Sequence, residues 1–273
     1  MDALIVCLWI CAGACAATWI ASLISNEHSW VDRIWSIVPV VYVAVFAAAA
    51  DFGDTRLNVL TALVLLWGAR LTFNFARRGG YAPGGEDYRW AILRARLAPW
   101  QFQLFNLGFI TVYQNIILLL ITLPAYTALT HPRPFGALDA LLALVFLGLL
   151  AGETVADQQQ WDFHRRKHAA LAAGQEPESR FARGGLFKYS RHPNYFFEQA
   201  QWWVVFGFGA VAAASLPQWT VIGAVLLTAL FVGSTVFTES ITRSRYPEYA
   251  DYQALTSPII PWPPRREPGQ ASV

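Results

Sequence analysis

Long apolar segments alternate with shorter polar ones along the whole chain. Because roughly 20 consecutive apolar residues cross the hydrocarbon core of a bilayer as an α-helix, segments near that length are candidate membrane spans. Seven segments qualify, with the second one short and the last two almost contiguous: residues 4–24, 34–50, 57–76, 105–129, 137–157, 195–215 and 217–238. We see no internal repeat. The pattern predicts an all-α fold, a polytopic integral membrane bundle of seven helices that forms one domain over residues 1–273.

The composition agrees with lipid as the solvent of this bundle. Hydrophobic residues make up 55% of the 273 residues and charged residues only 14%, whereas a soluble domain carries roughly 25% charged residues. Acidic residues are interspersed among the basic ones, without a long run of like charge. We therefore expect membrane lipid as a partner and no nucleic acid.

The first apolar segment admits two interpretations. Its small residues around Cys15 resemble a signal-peptide cleavage region, but Asp2 stands where a signal peptide has basic residues. We therefore expect the segment to be retained as the first helix. Cys7, Cys11 and Cys15 lie four residues apart, which places them on one helix face as packing residues rather than in a disulfide framework.

The distribution of basic residues predicts the orientation. When the loops between the predicted spans are assigned alternately to the two sides, 17 of the 20 Lys and Arg residues fall on one side, and loops rich in Lys and Arg normally face the cytoplasm. Only Arg56 and Arg133 fall on the other side, and Arg70 lies within the third span. This asymmetry predicts an N-terminus outside and a cytoplasmic C-terminus, in a bacterial inner membrane or in the endoplasmic reticulum, of which we favour the first.

Acidic residues cluster at the predicted cytoplasmic ends of the spans. An ionisable group inside a bilayer is costly and indicates a functional site. Glu153 and Asp157 end the fifth span and share a helix face, Glu198 lies one turn into the sixth, and Glu239 ends the seventh. Ion pairing between helices would explain each residue alone. The four together on one side predict a polar ligand cavity at the cytoplasmic mouth.

Two glycine-containing loops next to these acids have the composition of a phosphate-binding site. Residues 77–81 read Arg-Arg-Gly-Gly-Tyr, and residues 183–187 read Arg-Gly-Gly-Leu-Phe. Glycine lets the backbone approach a ligand closely, the arginine guanidinium matches phosphate oxygens, and aromatic rings offer stacking faces. The bias of cytoplasmic loops toward basic residues explains the arginines but not their pairing with Gly-Gly. The loops therefore predict a phosphorylated ligand.

The strongest motif covers residues 183–198, which read Arg-Gly-Gly-Leu-Phe-Lys-Tyr-Ser-Arg-His-Pro-Asn-Tyr-Phe-Phe-Glu. It resembles the C-terminal signature of the steroid 5α-reductase family, in particular its bacterial branch of membrane reductase-like proteins. The resemblance extends to residues 77–89, 153–158 and 245–262, and so covers most of the chain. It implies a seven-helix bundle that uses NADPH to reduce a carbon–carbon double bond conjugated to a ketone. The implied substrate is a hydrophobic enone, such as a 3-oxo-4-ene steroid or an isoprenoid.

The resemblance also implies which residues bind NADPH. Asn194 and Glu198 match one cofactor-binding pair of the family, and Glu153 with Asp157 match another, with Glu153 in place of the steroid enzymes' asparagine. The full implied set is Arg77, Arg78, Tyr88, Glu153, Asp157, Arg165, Arg183, Tyr189, Arg191, His192, Asn194, Tyr195, Glu198, Arg243, Arg245, Tyr246 and Tyr249.

The family's catalytic pair is matched less well. Steroid reductases hold the ketone with a glutamate on an early helix and a tyrosine on the following one, and the corresponding positions here are Asp32 and Trp67. Trp67 has no hydroxyl and cannot act as that acid. Either another residue such as Tyr42 or Tyr113 polarises the ketone, or this chain reduces a different acceptor.

Two other functions stay open from the sequence. Residues 191–198 also resemble the S-adenosylmethionine site of membrane isoprenylcysteine and phospholipid methyltransferases, although seven predicted spans exceed the four or five common in those enzymes. A transporter would need polar residues deep in several spans, and only Asn106, Gln114 and Asn115 form such a cluster. The histidines are scattered, and we expect no metal site.

Overall fold

The structure, a computed structural model, describes residues 2–265. Within them the chain is all-α, with no β-strand and only an isolated bridge between Ser190 and Ser257. The helices are α1 (Ala3–Ser25), α2 (Trp30–Ile34), α3 (Val38–Ala49), α4 (Thr55–Arg77), α5 (Tyr88–Arg96), α6 (Pro99–Phe105), a π-helix (Asn106–Tyr113), α7 (Gln114–Leu120), α8 (Leu123–Thr130), α9 (Ala137–Ala172), a 3₁₀ turn (Gly185–Lys188), α10 (Pro193–Ala213), α11 (Val221–Arg245) and α12 (Tyr249–Leu255).

Five helical stretches of the described residues are long and apolar enough to cross a membrane. They are Ala3–Ser25, Thr55–Arg77, Pro99–Thr130, Ala137–Ala172 and Val221–Arg245. They correspond to the first, third, fourth, fifth and seventh predicted spans, and they support an integral membrane protein. The predicted count of seven is not confirmed.

The two remaining predicted spans are helical but differ from what was expected. The predicted second span, residues 34–50, contains the short apolar helix α3, which has only 12 residues. Pro39 near its start lacks a backbone N–H, and it separates α3 from α2. The predicted sixth span lies in α10, which has 21 residues. Asn194, Glu198 and Gln201 in its first half leave α10 less apolar than the five stretches.

The chain divides into two compact units. Unit 1 runs up to Leu147 and includes Trp202–Leu227, and unit 2 comprises Gly148–Gln201 and the chain from Thr228 onward. Within unit 1, α3 packs against α1 and α4. Gly68 of α4 permits this packing, because a Cβ atom there would lie 2.5 Å from the carbonyl oxygen of Ser36.

In unit 1, polar contacts connect loops that the distribution of Lys and Arg placed on the same side of the membrane. The Arg56 guanidinium forms a buried ion pair with Asp139, with Nε–Oδ1 and Nη2–Oδ2 distances of 2.6 and 2.9 Å, and Nη1 donates to the Arg133 carbonyl. On the side predicted to be cytoplasmic, Arg33 donates to the Gly80 carbonyl at 3.2 Å. This grouping agrees with the predicted sides, while the orientation relative to the cytoplasm stays a prediction.

Candidate functional site

Unit 2 contains a cavity of about 300 Å³ between the C-terminal half of α9 and the loop that follows Ala182. The α9 side contributes polar and aromatic side chains, and the loop contributes the predicted Gly-Gly pair. The lining residues are Gln159, Asp162, Phe163, Arg166, Ala182, Arg183, Gly184, Gly185 and Phe187. The volume lies at the lower end of the range for small-molecule sites.

The Gly-Gly loop is held against α9 in a conformation that requires glycine. Gly185 has a φ of +62°, in the left-handed region where a Cβ atom is disfavoured. A Cβ atom at Gly185 would also lie 2.5 Å from Oε1 of Gln159. That same oxygen accepts a hydrogen bond from the backbone N–H of Leu186 at 2.8 Å. The close approach that the sequence predicted is therefore made to α9 itself, and it shapes one wall of the cavity.

The cavity is cationic and partly aromatic. Arg166 and Arg183 are exposed, and neither guanidinium makes an ion pair or a hydrogen bond with any residue in the range 2–265. Phe163 and Phe187 supply aromatic rings. Guanidinium groups with unused donors bind phosphate oxygens well. The cavity therefore has the chemistry for a phosphorylated ligand with a flat ring.

Arg166 is a cavity residue that the sequence analysis missed, although its neighbour Arg165 was predicted. The predicted span ended at Asp157, whereas α9 continues to Ala172. Once the helix is extended, Gln159, Asp162, Phe163 and Arg166 follow the spacing of three and four residues that defines one helix face. That spacing is the signal that would have identified Arg166.

The predicted acidic residues of unit 2 come together on neighbouring helix faces. Glu153 and Asp157 of α9 and Glu198 of α10 are all buried. Gln201, one turn after Glu198, donates from Nε2 to Oε2 of Glu153 at 2.6 Å. Gly152 allows this approach, because a Cβ atom there would meet the ring of Phe197. Glu153 is thus engaged with Gln201 inside unit 2.

Arg191 and His192, which were predicted to bind the cofactor, are engaged with Glu239. Oε1 and Oε2 of Glu239 accept from Nε and Nη2 of Arg191 at 2.6 and 2.9 Å, and Oε1 also lies 3.0 Å from Nε2 of His192. Tyr249 and Gln253 donate two further hydrogen bonds to the same carboxylate. Burial, and then the charge of Glu239, raise the pKa of Tyr249, so its hydroxyl stays a donor.

A segment near the C-terminus, residues 255–262, forms backbone hydrogen bonds with the loop of residues 187–192, which follows the cavity-lining residues in the chain. We call this segment the strap. The backbone N–H groups of Arg191 and His192 donate to the carbonyls of Ser257 and Pro258 at 2.8 and 3.0 Å, and Trp262 N–H donates to the Tyr189 carbonyl at 2.9 Å. Within unit 2, the contacts of Arg191 and His192 therefore fix the loop of residues 187–192 against the strap and Glu239.

The other predicted cofactor residues of unit 2 surround these features. Arg165 lies exposed on α9, and Arg243 and Arg245 lie exposed on the last turn of α11. Asn194 is in the first turn of α10, and the next residue, Tyr195, stacks on His192 with ring centroids 5.1 Å apart. Tyr246 receives a cation–π contact from Lys167 at 5.1 Å.

Arg77, Arg78 and Tyr88, the remaining predicted cofactor residues, belong to unit 1. Arg77 donates from Nε to Oδ1 of Asn74 at 2.9 Å, Arg78 caps the end of α4, and Tyr88 begins α5 with its ring exposed. Among the described residues, no group of three His, Cys, Asp or Glu side chains is arranged to hold a metal ion.

Asp32, the predicted catalytic carboxyl, lies on α2 of unit 1 beside a second carboxylate. Burial, and then the charge of Asp87, raise the pKa of Asp32 to about 6. Arg89 neutralises Asp87 through contacts of 3.0 and 2.5 Å. Oδ2 of Asp32 is buried and has no hydrogen-bond partner within the described chain. Asp32 is therefore a carboxyl that holds its proton more strongly than an exposed aspartate does.

Trp67, the second predicted catalytic position, is fully buried in unit 1. Its ring meets that of Trp202 edge to face, with centroids 4.9 Å apart. A packed indole offers no acidic proton for catalysis. The position therefore serves packing in this structure, as its side-chain type indicated.

Comparison with known proteins places the chain in a family. Residues 18–256 match the family model DUF1295, described as a protein of unknown function. The chain is also 36% identical over 258 residues to an uncharacterized protein of Schizosaccharomyces pombe, a match that covers 89% of this chain and 75% of that protein. No solved structure matches. The matched range includes every residue that lines the cavity.

Proposed function

The chain belongs to the DUF1295 family, and on that premise we propose that it is a membrane-embedded, NADPH-dependent reductase. Its substrate is the conjugated C=C bond of a hydrophobic enone, such as the 4-ene of a 3-oxo steroid. The observation that carries the proposal is the cationic cavity beside Gly184 and Gly185. The family includes steroid 5α-reductase-like membrane proteins, and the motif of residues 183–198 supports the same activity.

The charged and aromatic residues of the cavity in unit 2 support a nicotinamide dinucleotide phosphate as the ligand. Arg166 and Arg183 present unpaired guanidiniums for phosphate oxygens, and Phe163 and Phe187 present rings against which a flat base stacks. A carboxylate accepts several hydrogen bonds, so Glu153 can accept from a ribose hydroxyl in addition to Gln201. When bound, NADPH supplies the hydride.

Asp32 supports the second requirement of enone reduction, an acid that polarises the ketone oxygen. A carboxyl with a pKa of about 6 keeps a substantial protonated fraction close to neutral pH. Its buried Oδ2 atom has no hydrogen-bond partner in the described chain, so its hydrogen-bonding capacity is unused. We therefore assign Asp32 the role of hydrogen-bond donor to the carbonyl, and Trp67 no chemical role.

Ligand binding to the purified, full-length protein in detergent tests the proposal. We expect NADPH to raise the melting temperature saturably, NADH to act more weakly because it lacks the 2′-phosphate, and S-adenosylmethionine to have no effect. In Arg183→Ala the NADPH affinity should fall about tenfold or more, the size of a lost charge-assisted hydrogen bond. Stabilisation by S-adenosylmethionine instead of NADPH would replace the reductase with the methyltransferase.

A matched control separates the cavity from general surface charge. Arg180 is an exposed arginine of the same loop that pairs with Glu176 at 3.1 Å and does not line the cavity. We expect Arg180→Ala to bind NADPH as the unmodified protein does. An equal loss in Arg180→Ala and Arg183→Ala would show that the affinity comes from overall positive charge, and would remove the cavity from the proposal.

A further inference from the structure

A row of buried polar side chains lies in the apolar stretch Pro99–Thr130 of unit 1. Asn106 and Thr111 belong to the π-helix, and Gln114 and Asn115 begin α7; all four are buried. Asn106 and Asn115 face Ser22 and Thr18 of α1, and we call these four contact residues the polar seam: Thr18, Ser22, Asn106 and Asn115. Polar side chains at such depth are costly unless every group finds a partner.

The amide N–H groups of the seam are satisfied. Nδ2 of Asn106 donates to Oγ of Ser22 at 3.0 Å. Nδ2 of Asn115 donates to Oγ1 of Thr18 at 3.3 Å and to the carbonyl oxygen of Thr111 at 2.9 Å. The two asparagines therefore hold the π-helix and α7 against α1 through their NH₂ groups.

The amide oxygens of the seam are not satisfied, and turning the amides over does not help. The single hydroxyl proton of Ser22 is engaged with the Trp19 carbonyl at 2.7 Å, and that of Thr18 with the Ala14 carbonyl at 2.7 Å. Both hydroxyls can therefore only accept, so each asparagine must present its NH₂ group to them. Oδ1 of Asn106 and Oδ1 of Asn115 remain buried acceptors without a partner in the described chain.

Two neighbouring features also indicate a functional site at these amide oxygens. The acceptors flank the π-helix Asn106–Tyr113, a helix type that occurs frequently at functional sites. The hydroxyl of Tyr42 on α3 is likewise buried and unpartnered. Cys7 donates to the Tyr42 carbonyl and Cys11 to the Asn115 carbonyl, so consecutive turns of α1 contact both places.

We propose that the polar seam is a binding site for the hydroxyl group of an apolar ligand. Each of the two orphaned amide oxygens requires an O–H or N–H donor, and the hydroxyl donates its single proton to one of them. The seam contains no carboxylate to neutralise an ammonium group, which favours a neutral hydroxyl over an amine. The surroundings are hydrocarbon-like, so the rest of the ligand is apolar, as in an isoprenoid alcohol or a sterol. Water is the other source of an O–H donor. The inference does not depend on the proposed reductase activity.

The test compares alcohols with ethers that cannot donate. The full-length protein in detergent is titrated with farnesol and with cholesterol, each against its methyl ether at equal mole fraction, and the melting temperature is recorded. We expect at least one alcohol to reach half-saturation at about fivefold lower mole fraction than its ether, the value of one hydrogen bond. If neither alcohol is preferred, the seam holds water or only packs helices, and the inference is overturned.

Variants test whether a preference for the alcohol over its ether arises at the polar seam. The difference between alcohol and ether should disappear in Asn115→Leu or in Asn106→Leu, whichever removes the acceptor of the hydroxyl. Thr122→Val is the control, because Thr122 is buried in unit 1 but bonds its own helix at the Leu119 carbonyl. A preference that survives in both asparagine variants would place the alcohol elsewhere. NADPH titration of the same samples reports separately on the proposed cofactor.

Discussion

Replacing Asp32 with asparagine should stabilise the protein near neutral pH and inactivate it. The folded-state pKa of about 6 exceeds the ordinary aspartate pKa of 3.8, so folding favours the protonated carboxyl. The stabilisation associated with this proton is therefore complete below about pH 4, and it is lost as the pH rises through about 6. Asparagine mimics the protonated acid at every pH and avoids that loss.

The magnitude follows from the size of the shift. About 2 pKa units correspond to about 3 kcal/mol, since each unit is worth about 1.4 kcal/mol. Asp32 keeps partial solvent exposure, so we expect a measured gain nearer 2 kcal/mol. At pH 7.5, Asp32→Asn should thus exceed the unmodified protein in free energy of unfolding by about 2 kcal/mol, and at pH 4 the two should be equal.

Equilibrium unfolding in detergent, followed by tryptophan fluorescence between pH 4 and pH 8, measures this difference. Asp51→Asn, which alters an exposed carboxylate of unit 1, is the control and should show the same small effect at every pH. In parallel, turnover of an enone should fall in Asp32→Asn while the NADPH affinity stays unchanged. A stability difference that does not change with pH would refute the reasoning about burial, and unchanged turnover would remove Asp32 from the chemistry.

Two further predictions concern stability. Asp139→Ala leaves the Arg56 guanidinium buried and unpaired, so we expect a loss of about 3–5 kcal/mol in the free energy of unfolding; a loss below about 1 kcal/mol would contradict the burial of this pair. Gly185→Ala should cost about 1–2 kcal/mol because of its positive φ and the nearby Gln159. Gly184→Ala is the matched control, since no atom lies within 4 Å of its Cβ position and its φ is −99°; equal melting temperatures for the two variants would argue against the strained turn.

Hydropathy predicted the parts of the fold that the bilayer itself determines. The five long apolar helices coincide with predicted spans because length and apolar composition are sufficient to identify them. The same rule could not place the start of α3, where Pro39 acts through backbone geometry. It also ended the fifth span at Asp157, although α9 continues through Gln-, Arg- and Ala-rich sequence that favours helix in water.

The Gly-Gly loop and Arg183 line the cavity, and their role in binding a phosphorylated ligand stays a prediction. The pairings within unit 2 could not be predicted. The engagement of Arg191 with Glu239 joins residues 48 positions apart, and periodicity carries no information about such contacts. Asp32 could be singled out as a carboxyl near a span, but its raised pKa depends on burial and then on the charge of Asp87, both of which arise from tertiary structure.

The strap has a consequence for biogenesis. Residues 255–262 are translated last among the parts that fix the 187–192 loop, and the backbone hydrogen bonds to Arg191, His192 and Tyr189 cannot form before they emerge. Membrane helices are inserted while the chain is still being synthesised, so the apolar spans precede the strap into their final environment. A chain that ends before the strap would thus insert its apolar helices while the loop of residues 187–192 still lacks these backbone partners.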